Sequence, residues 1–528
     1  MKNNYLLALL SGCLLAVSWP TYGIPLFAFI GFVPLLLAER RIRTSNLHRR
    51  GFKVFLSTYL GLLIWNSVTT WWIWYSTPFG MFFALLVNTL LMTFIFMLYH
   101  FVARRLPQKI HLVFLPAIWI AFEKFHLNWD FSWPWLNLGN VFSEYISWIQ
   151  WYEYTGTFGG ALWIWIINIG IFRTVVKARE NKNRRVLTIG VARNVMGIAI
   201  PIILSMFLFY NYQPSEEKAE VIVVQPNIDP YTEKYDRSNV EYARLIDEMT
   251  RDAIDEETDY IVAPETVLAQ NSSIDLFDSS REKKILQSVI APYPGLHLIL
   301  GADFHRFYNS INKPTSTANA FQDGRWYDVY NAAVQIDGST VSPKYIKSKL
   351  VVGVENFPFK SALEPLLGDI MLNLGGTVAS RAVQPERSVF QSKDQNYAAA
   401  PIICYESVYG EYVTEYVSKG ANFLAIITND AWWSDTQGHQ QHLSYARLRA
   451  IENRRSVVRS ANTGISALID ERGQLIKTLG YEKQGILKGD ITINNDRTFY
   501  VRYGDYIARL SVLIAGMVLL FAIARKKQ

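Results

Sequence analysis

The sequence predicts two architectures in one chain, α + α/β in class: a polytopic helical membrane domain of about eight spans and a layered α/β domain. Three observations lead there. Long apolar runs fill residues 1–212 and 506–524, whereas 213–505 has the mixed composition of a water-exposed domain. Within that middle block, apolar runs of strand length alternate with helical patterns. The basic residues, finally, gather at the ends of apolar runs and not on one surface of the middle block.

Taken in order, the apolar runs cover roughly 5–20, 23–38, 53–76, 78–103, 111–126, 156–176, 191–212 and 506–524, each near the length a crossing needs. The basic clusters are Lys2; Arg40, Arg41, Arg43, Arg49 and Arg50; Arg104, Arg105 and Lys109; Arg173 to Arg185; and Arg525, Lys526 and Lys527. Each lies at a chain end or after an even-numbered run. The positive-inside rule therefore places both termini in the cytoplasm and the block after the seventh run outside it. The expected domains are a seven-span membrane domain at 1–212, an extracytoplasmic domain at 213–505, and a last span with a basic cytoplasmic tail at 506–528. A formal charge of +7 with this distribution speaks for membrane topology and against nucleic acid.

Leu10-Ser11-Gly12-Cys13 has the form of a lipoprotein signal box, but apolar sequence resumes at once with LLAVSW, so Cys13 reads as a buried membrane-helix residue. The aromatic stretch 127–154 contains PWLNLG, too rich in Pro and Gly for a helix, and reads as a re-entrant or surface-lying loop on the outer side. Glu123 and Lys124 are expected near the same interface.

In the middle block, 219–227, 259–265, 297–303, 331–337, 398–404, 422–430, 455–461 and 465–470 read as strands. Many are apolar on both faces, as in a sheet covered on both sides. Residues 238–256 and 439–454 carry helical periodicity, and YGEYVTEYVSKG reads as a helix closed by Gly420. The chain's two cysteines, Cys13 and Cys404, give neither a disulfide framework nor zinc-ligand spacing. Cys404 ends an apolar strand, Glu265 follows another, and Lys347 lies between them in SPKYIKSKL. A thiol, a carboxylate and an amine at strand ends suit a nucleophile, a general base and an oxyanion clamp, with the Tyr405 N–H as a second donor. His439 and His442 have a spacing metals use but lack a third ligand, which favours a capped, partly exposed helix. Arg447, Arg449, Arg454 and Arg455 read as a solvated basic face or a set of salt bridges. Neither a metal nor a cofactor is implied.

APE at 263–265, YIKSKL at 345–350 and ICYES at 403–407 resemble the Glu–Lys–Cys signature of the nitrilase superfamily. With PWLNLG, VVQPNI, TNDAWW, the helix HQQHLSYARLRAIENRR and VVRSANTGIS in order, nearly the whole chain resembles the apolipoprotein N-acyltransferase family. The resemblance implies a nitrilase-like α-β-β-α sandwich outside the membrane. It puts the base on Glu265, the oxyanion-stabilising lysine on Lys347 and the nucleophile on Cys404, with support from Glu355, Tyr405 and Glu406. Trp432 and Trp433 become candidate substrate contacts. Leu350-Val351-Val352-Gly353-Val354-Glu355 departs from the family's Leu-Val-Pro-Phe-Gly-Glu, and Tyr235 stands where the family has a tryptophan. The implied reaction moves an acyl chain from a glycerophospholipid, phosphatidylethanolamine in particular, to the α-amine of a diacylglyceryl-cysteine at an apolipoprotein N-terminus. Two alternatives stay open from sequence: a membrane-tethered hydrolase of amidase or nitrilase type, and a non-catalytic lipid-binding scaffold.

Overall fold

The computed structural model describes residues 2–181, 183–321, 323–356, 359, 380–394 and 396–525. Lys526 and Lys527 lie outside them. The chain divides into two compact units: Met1–Trp74, Pro78–Asn211 and Tyr503–Gln528 in one, Tyr75–Thr77 and Tyr212–Arg502 in the other.

The first unit is all helix. Among the described residues, four helices are long and apolar enough to cross a membrane: Pro78–Ala103, Tyr152–Asn181, Arg184–Asn211 and Tyr506–Ala524. The other expected spans are shorter or more polar. The run at 23–38 breaks into a 3-10 turn Pro25–Phe27, a single turn Ala28–Gly31 and a helix Val33–Arg43. Proline explains both breaks, because Pro25 and Pro34 offer no N–H and each stands at the start of a new helical piece. The polar groups freed there are satisfied by Asn168, whose Oδ1 accepts from the Phe32 N–H at 2.9 Å and whose Nδ2 donates to the Ala28 carbonyl at 2.8 Å.

Helix Lys2–Ala16 packs on Arg50–Thr70 through glycine. A Cβ on Gly12 would lie 2.1 Å from the Gly61 carbonyl oxygen, and one on Gly61 would lie 2.5 Å from that of Ala8. Cys13 belongs to this first helix but is exposed, not buried as its apolar surroundings suggested. PWLNLG is interior as well: Trp135, Leu136 and Leu138 are buried, and Asn137 caps a short 3-10 helix Leu138–Phe142. Glu123 is likewise buried, accepting from Leu138 N–H at 2.9 Å and Trp119 Nε1 at 3.0 Å. Its carboxylate holds the loop in place, a role that an interfacial position would not have given it.

The second unit contains two sheets. In chain order the first holds β1 (Lys218–Gln225), β2 (Thr258–Val262), β3 (Leu268–Ser273), β4 (His297–Tyr308), β5 (Asn319–Ala320), β6 (Trp326–Ile336), β7 (Lys344–Ile346) and β14 (Gly485–Thr492). The second holds β8 (Phe390–Gln391), β9 (Ala398–Ile403), β10 (Phe423–Thr428), β11 (Val457–Ala461), β12 (Ser466–Ile469) and β13 (Leu475–Leu479). Strands β1, β2 and β4 run parallel, as do β9, β10 and β11. Helices Asn239–Thr250 and Arg281–Ile290 cover the first sheet, with Tyr242, Ala243, Ile246, Leu286 and Val289 packed on Ile222, Val224, Ile261 and Leu298. Helices Gly410–Ser418 and Gln437–Asn453 lie against the second sheet. The sheets meet face to face, where Tyr260 of β2 stands edge-on to Phe423 of β10 at 5.0 Å and Ser460 Oγ donates to the Val224 carbonyl at 2.8 Å. The layers run helix, sheet, sheet, helix, so strands buried on both faces are apolar throughout.

The glycine contact in the first unit yields a prediction. Gly61→Val should lower the thermal unfolding midpoint of the full-length protein in detergent, because overpacking costs about 1–3 kcal/mol. An unchanged midpoint would mean the two helices part without cost.

Candidate active site

Parallel strands deliver their C-terminal ends to one edge of a sheet, and loops leaving that edge are free to carry chemistry. Glu265 follows β2, Lys347 follows β7, Cys404 follows β9 and Asp430 follows β10. Lys347 is almost wholly buried, 1% exposed, and its ammonium sits 2.9 Å from Glu265 Oε1 and 2.9 Å from Glu355 Oε2. Asn331 of β6 ties the same carboxylates together, donating from Nδ2 to Glu265 Oε1 at 2.8 Å and to Glu355 Oε1 at 3.1 Å. The second oxygen of Glu265 accepts from the Asn429 N–H at 3.2 Å, beside the end of β10. The base candidate is thus fixed from both sheets.

Charge balance explains the protonation states. Burial opposes the charge on Lys347, but Glu265 and Glu355 outweigh it and hold its pKa above the ordinary lysine value. Burial likewise pushes Glu355 up, and the cations Lys347 and Arg381 overcome it, bringing the carboxyl down to about 2. Arg381 is in turn paired with Asp303 of β4. The thiol of Cys404 goes the other way. Burial raises its pKa well above the ordinary thiol range, the charge on Glu265 adds to this, and Lys347 only partly opposes it. At neutral pH the sulfur therefore carries its proton.

Cys404 does not close its strand; β9 stops at Ile403 and Cys404 opens a 3-10 turn with φ 49°. A left-handed non-glycine residue at this point is a strained, tightly held turn. Its carbonyl accepts from Ser407 Oγ at 2.7 Å and lies 3.2 Å from His442 Nε2. His442 Nδ1 is 3.0 Å from Asp430 Oδ1, and Arg459 Nη2 reaches Asp430 Oδ2 at 2.6 Å. His442 is fully buried behind the Cys404 backbone, and not on a partly exposed helix face. Of the arginines expected on a basic face, Arg447 is partly buried and the other three are interior. Arg449 pairs with Glu452 at 2.9 Å and donates to the Val408 carbonyl at 2.9 Å, while Arg454 and Arg455 are buried beyond the helix end.

Glu406 links the lysine and cysteine segments. One oxygen accepts from Ser348 N–H at 2.7 Å, Tyr345 at 2.8 Å and Tyr412 at 2.5 Å; the other accepts from Ile403 N–H at 2.9 Å. Ser348 follows Lys347 and Ile403 precedes Cys404, so one carboxylate sets the spacing of both. Tyr405 is buried edge-on to Tyr409 at 5.3 Å. Trp432 is edge-on to Tyr231 at 5.2 Å, and Trp433 is edge-on to His442 at 5.5 Å; both are partly exposed. The structure thus brings Glu265, Lys347, Glu355, Cys404 and Glu406 into one cluster. Sequence reading passed over Asn331, Asp430, Arg459 and Arg381. Asp430 and Arg459 had a visible signal, the first inside TNDAWW and the second inside VVRSANTGIS.

The family model described as carbon-nitrogen hydrolase matches residues 220–498. The chain belongs to the carbon-nitrogen hydrolase family. A second model, the apolipoprotein N-acyltransferase N-terminal domain, matches residues 11–170. The apolipoprotein N-acyltransferase of Chlorobaculum tepidum is 29% identical over 548 residues, spanning 100% of this chain and 98% of its own. That of Geobacter metallireducens is 28% identical over 538 residues, spanning 99% and 96%. This carbon-nitrogen hydrolase is accordingly a membrane protein and an N-acyltransferase.

Two outcomes are expected of the buried carboxylates. Because Glu355 is depressed from 4.5 to about 2, its contribution to stability is complete above pH 4.5 and disappears as pH falls toward 2. The gap in thermal midpoint between wild type and Glu355→Gln should thus be widest near neutrality and close in acid. Glu406→Gln turns an amide donor toward other donors and should cost about 1–3 kcal/mol of unfolding stability. A variant as stable as wild type would remove Glu406 from this linking role.

Proposed function

We propose that the enzyme transfers an acyl chain from a glycerophospholipid to the N-terminal α-amine of a diacylglyceryl-cysteine on an apolipoprotein, through a thioester on Cys404. The observation that carries this reading is the Lys347 ammonium held between Glu265 and Glu355, beside a buried protonated thiol under the electrostatic influence of Glu265 and Lys347. Glu265 takes the thiol proton as sulfur attacks the ester carbonyl, with the sn-1 ester of phosphatidylethanolamine as the preferred donor. Lys347 and the Tyr405 N–H stabilise the tetrahedral oxyanion. The carbon–oxygen bond then breaks, the proton on Glu265 passes to the departing glycerol oxygen, and a lysophospholipid leaves. In the second half the neutral α-amine attacks the thioester, gives its proton to Glu265 and forms the amide. The sulfur departs and regains its proton, closing a ping-pong cycle.

Glu355 keeps Lys347 charged and in place, and Glu406 keeps the two segments in register. Trp432 and Trp433, partly exposed beside the cluster, are assigned to lipid contact. Eight crossings, cytoplasmic termini and a domain 213–505 on the outer face, periplasmic in a two-membrane cell, fit the placement of the basic clusters. That topology puts the site on the side where both lipid-anchored substrates present their reacting groups.

The test is mass spectrometry of the purified full-length protein after incubation with one defined phospholipid. Wild type should gain one acyl mass on Cys404, and Cys404→Ala and Cys404→Ser should gain none while remaining folded. Glu265→Gln and Lys347→Ala should acylate at least about 100-fold more slowly. Adding a lipopeptide amine should yield an N-acyl product; release of free fatty acid alone would make the enzyme a hydrolase.

A further inference from the structure

Lys234 lies between β1 and helix Asn239–Thr250, and its side chain is 5% exposed. Its backbone is anchored from that helix, where the Tyr242 hydroxyl donates to the Lys234 carbonyl at 2.9 Å. Among the described residues its ammonium has no carboxylate within ion-pair distance. Its one side-chain hydrogen bond goes to Thr266 Oγ1 at 2.5 Å, and the rings of Tyr235 and Trp432 stand 5.8 and 5.9 Å away. An ammonium buried on one hydrogen bond is costly, and burial pulls its pKa down although Asp303 and Glu265 act on it from farther off.

The group it holds is unusual. Thr266 directly follows Glu265 and has φ 45°, a left-handed conformation that a β-branched residue rarely adopts. Such a conformation persists only where its surroundings enforce it. Gly301 of β4 presses from one side: a Cβ there would lie 2.3 Å from Thr266 N and 2.6 Å from Glu265 Cα. On the side-chain side, Lys234 grips the hydroxyl. Turning Thr266 back to an ordinary conformation would rotate the peptide that carries Glu265, and with it the carboxylate placed on Lys347 and Asn331.

We propose that Lys234 is a positioning residue for Glu265: its bond to the Thr266 hydroxyl locks the left-handed turn that aims the carboxylate. This rests on Glu265 serving as the base that acylates Cys404. Lys234 touches neither sulfur nor substrate in this role.

The experiment is single-turnover acylation of the full-length enzyme by a defined phospholipid at increasing concentration. Its variants are Thr266→Val, Thr266→Ser, Lys234→Met and the Lys234→Met/Thr266→Val pair. Thr266→Val keeps the shape and loses the hydroxyl, so its maximal rate should fall by about 100-fold, the scale of a misplaced catalytic group, with the half-saturating donor concentration unchanged. Thr266→Ser should acylate as wild type does. Lys234→Met should match Thr266→Val, and the pair should be no slower than the slower single variant, since both remove one bond. Full-rate acylation by Thr266→Val would overturn the proposal, as would multiplying losses in the pair. A raised half-saturating concentration with an intact maximal rate would overturn it too, making Lys234 a ligand of the donor phosphate. Should Lys234→Met fail to fold, the two Thr266 variants decide the matter alone. Wild-type acylation in the same assay separates failure here from failure of the thioester reading itself.

Discussion

A lysine ammonium sealed between two carboxylates organises this site. Lys347 could not stay charged at 1% exposure by itself, since desolvating one ion costs several kcal/mol. Glu265 and Glu355 supply the opposite charge, and Asn331 holds both carboxylates at the spacing the ammonium needs. Burial is the main reason the Cys404 thiol stays protonated, and the Glu265 carboxylate that faces Lys347 adds to it. The cluster therefore holds a cationic ammonium and a protonated thiol in one electrostatic environment.

The two-sheet sandwich makes that arrangement possible. Glu265 and Lys347 leave the first sheet, Cys404 and Asn429 leave the second, and the face-to-face packing of the sheets brings their ends together. Two of the chain's left-handed non-glycine residues lie in this cluster, Thr266 with φ 45° and Cys404 with φ 49°. Each is held by a polar group from elsewhere in the chain: Lys234 for the first, Ser407 and His442 for the second.

The membrane unit obeys a different constraint. Several of its buried polar side chains close hydrogen bonds within the bundle, where lipid offers none. Asn88 bridges Asn66 at 2.7 Å and His126 at 3.0 Å, and Asn168 repairs the helix breaks at Ala28 and Phe32. Glycines then let the helices approach closely. Polar residues that looked like interfacial decoration in the sequence, Glu123 foremost, are internal fasteners.

Much of this was determined by the sequence alone. Periodicity located eight central strands and three helices of the sandwich because residues buried on both faces must be apolar, and a 3.6-residue repeat survives in an amphipathic helix. Three chemical residue types at strand ends, with their motifs, marked Glu265, Lys347 and Cys404. Short strands such as β5, β7 and β8 left no trace, since two or three residues cannot display a period. Only the tertiary structure decided which partners surround the site. Asn331 looks like any strand residue, His442 like half of a metal pair, and Arg449 like a solvated surface charge, until packing removes water and each must find a counter-group. Burial is a property of the assembled layers, so the sequence named candidate groups at the strand ends while the fold decided their counter-groups and their geometry.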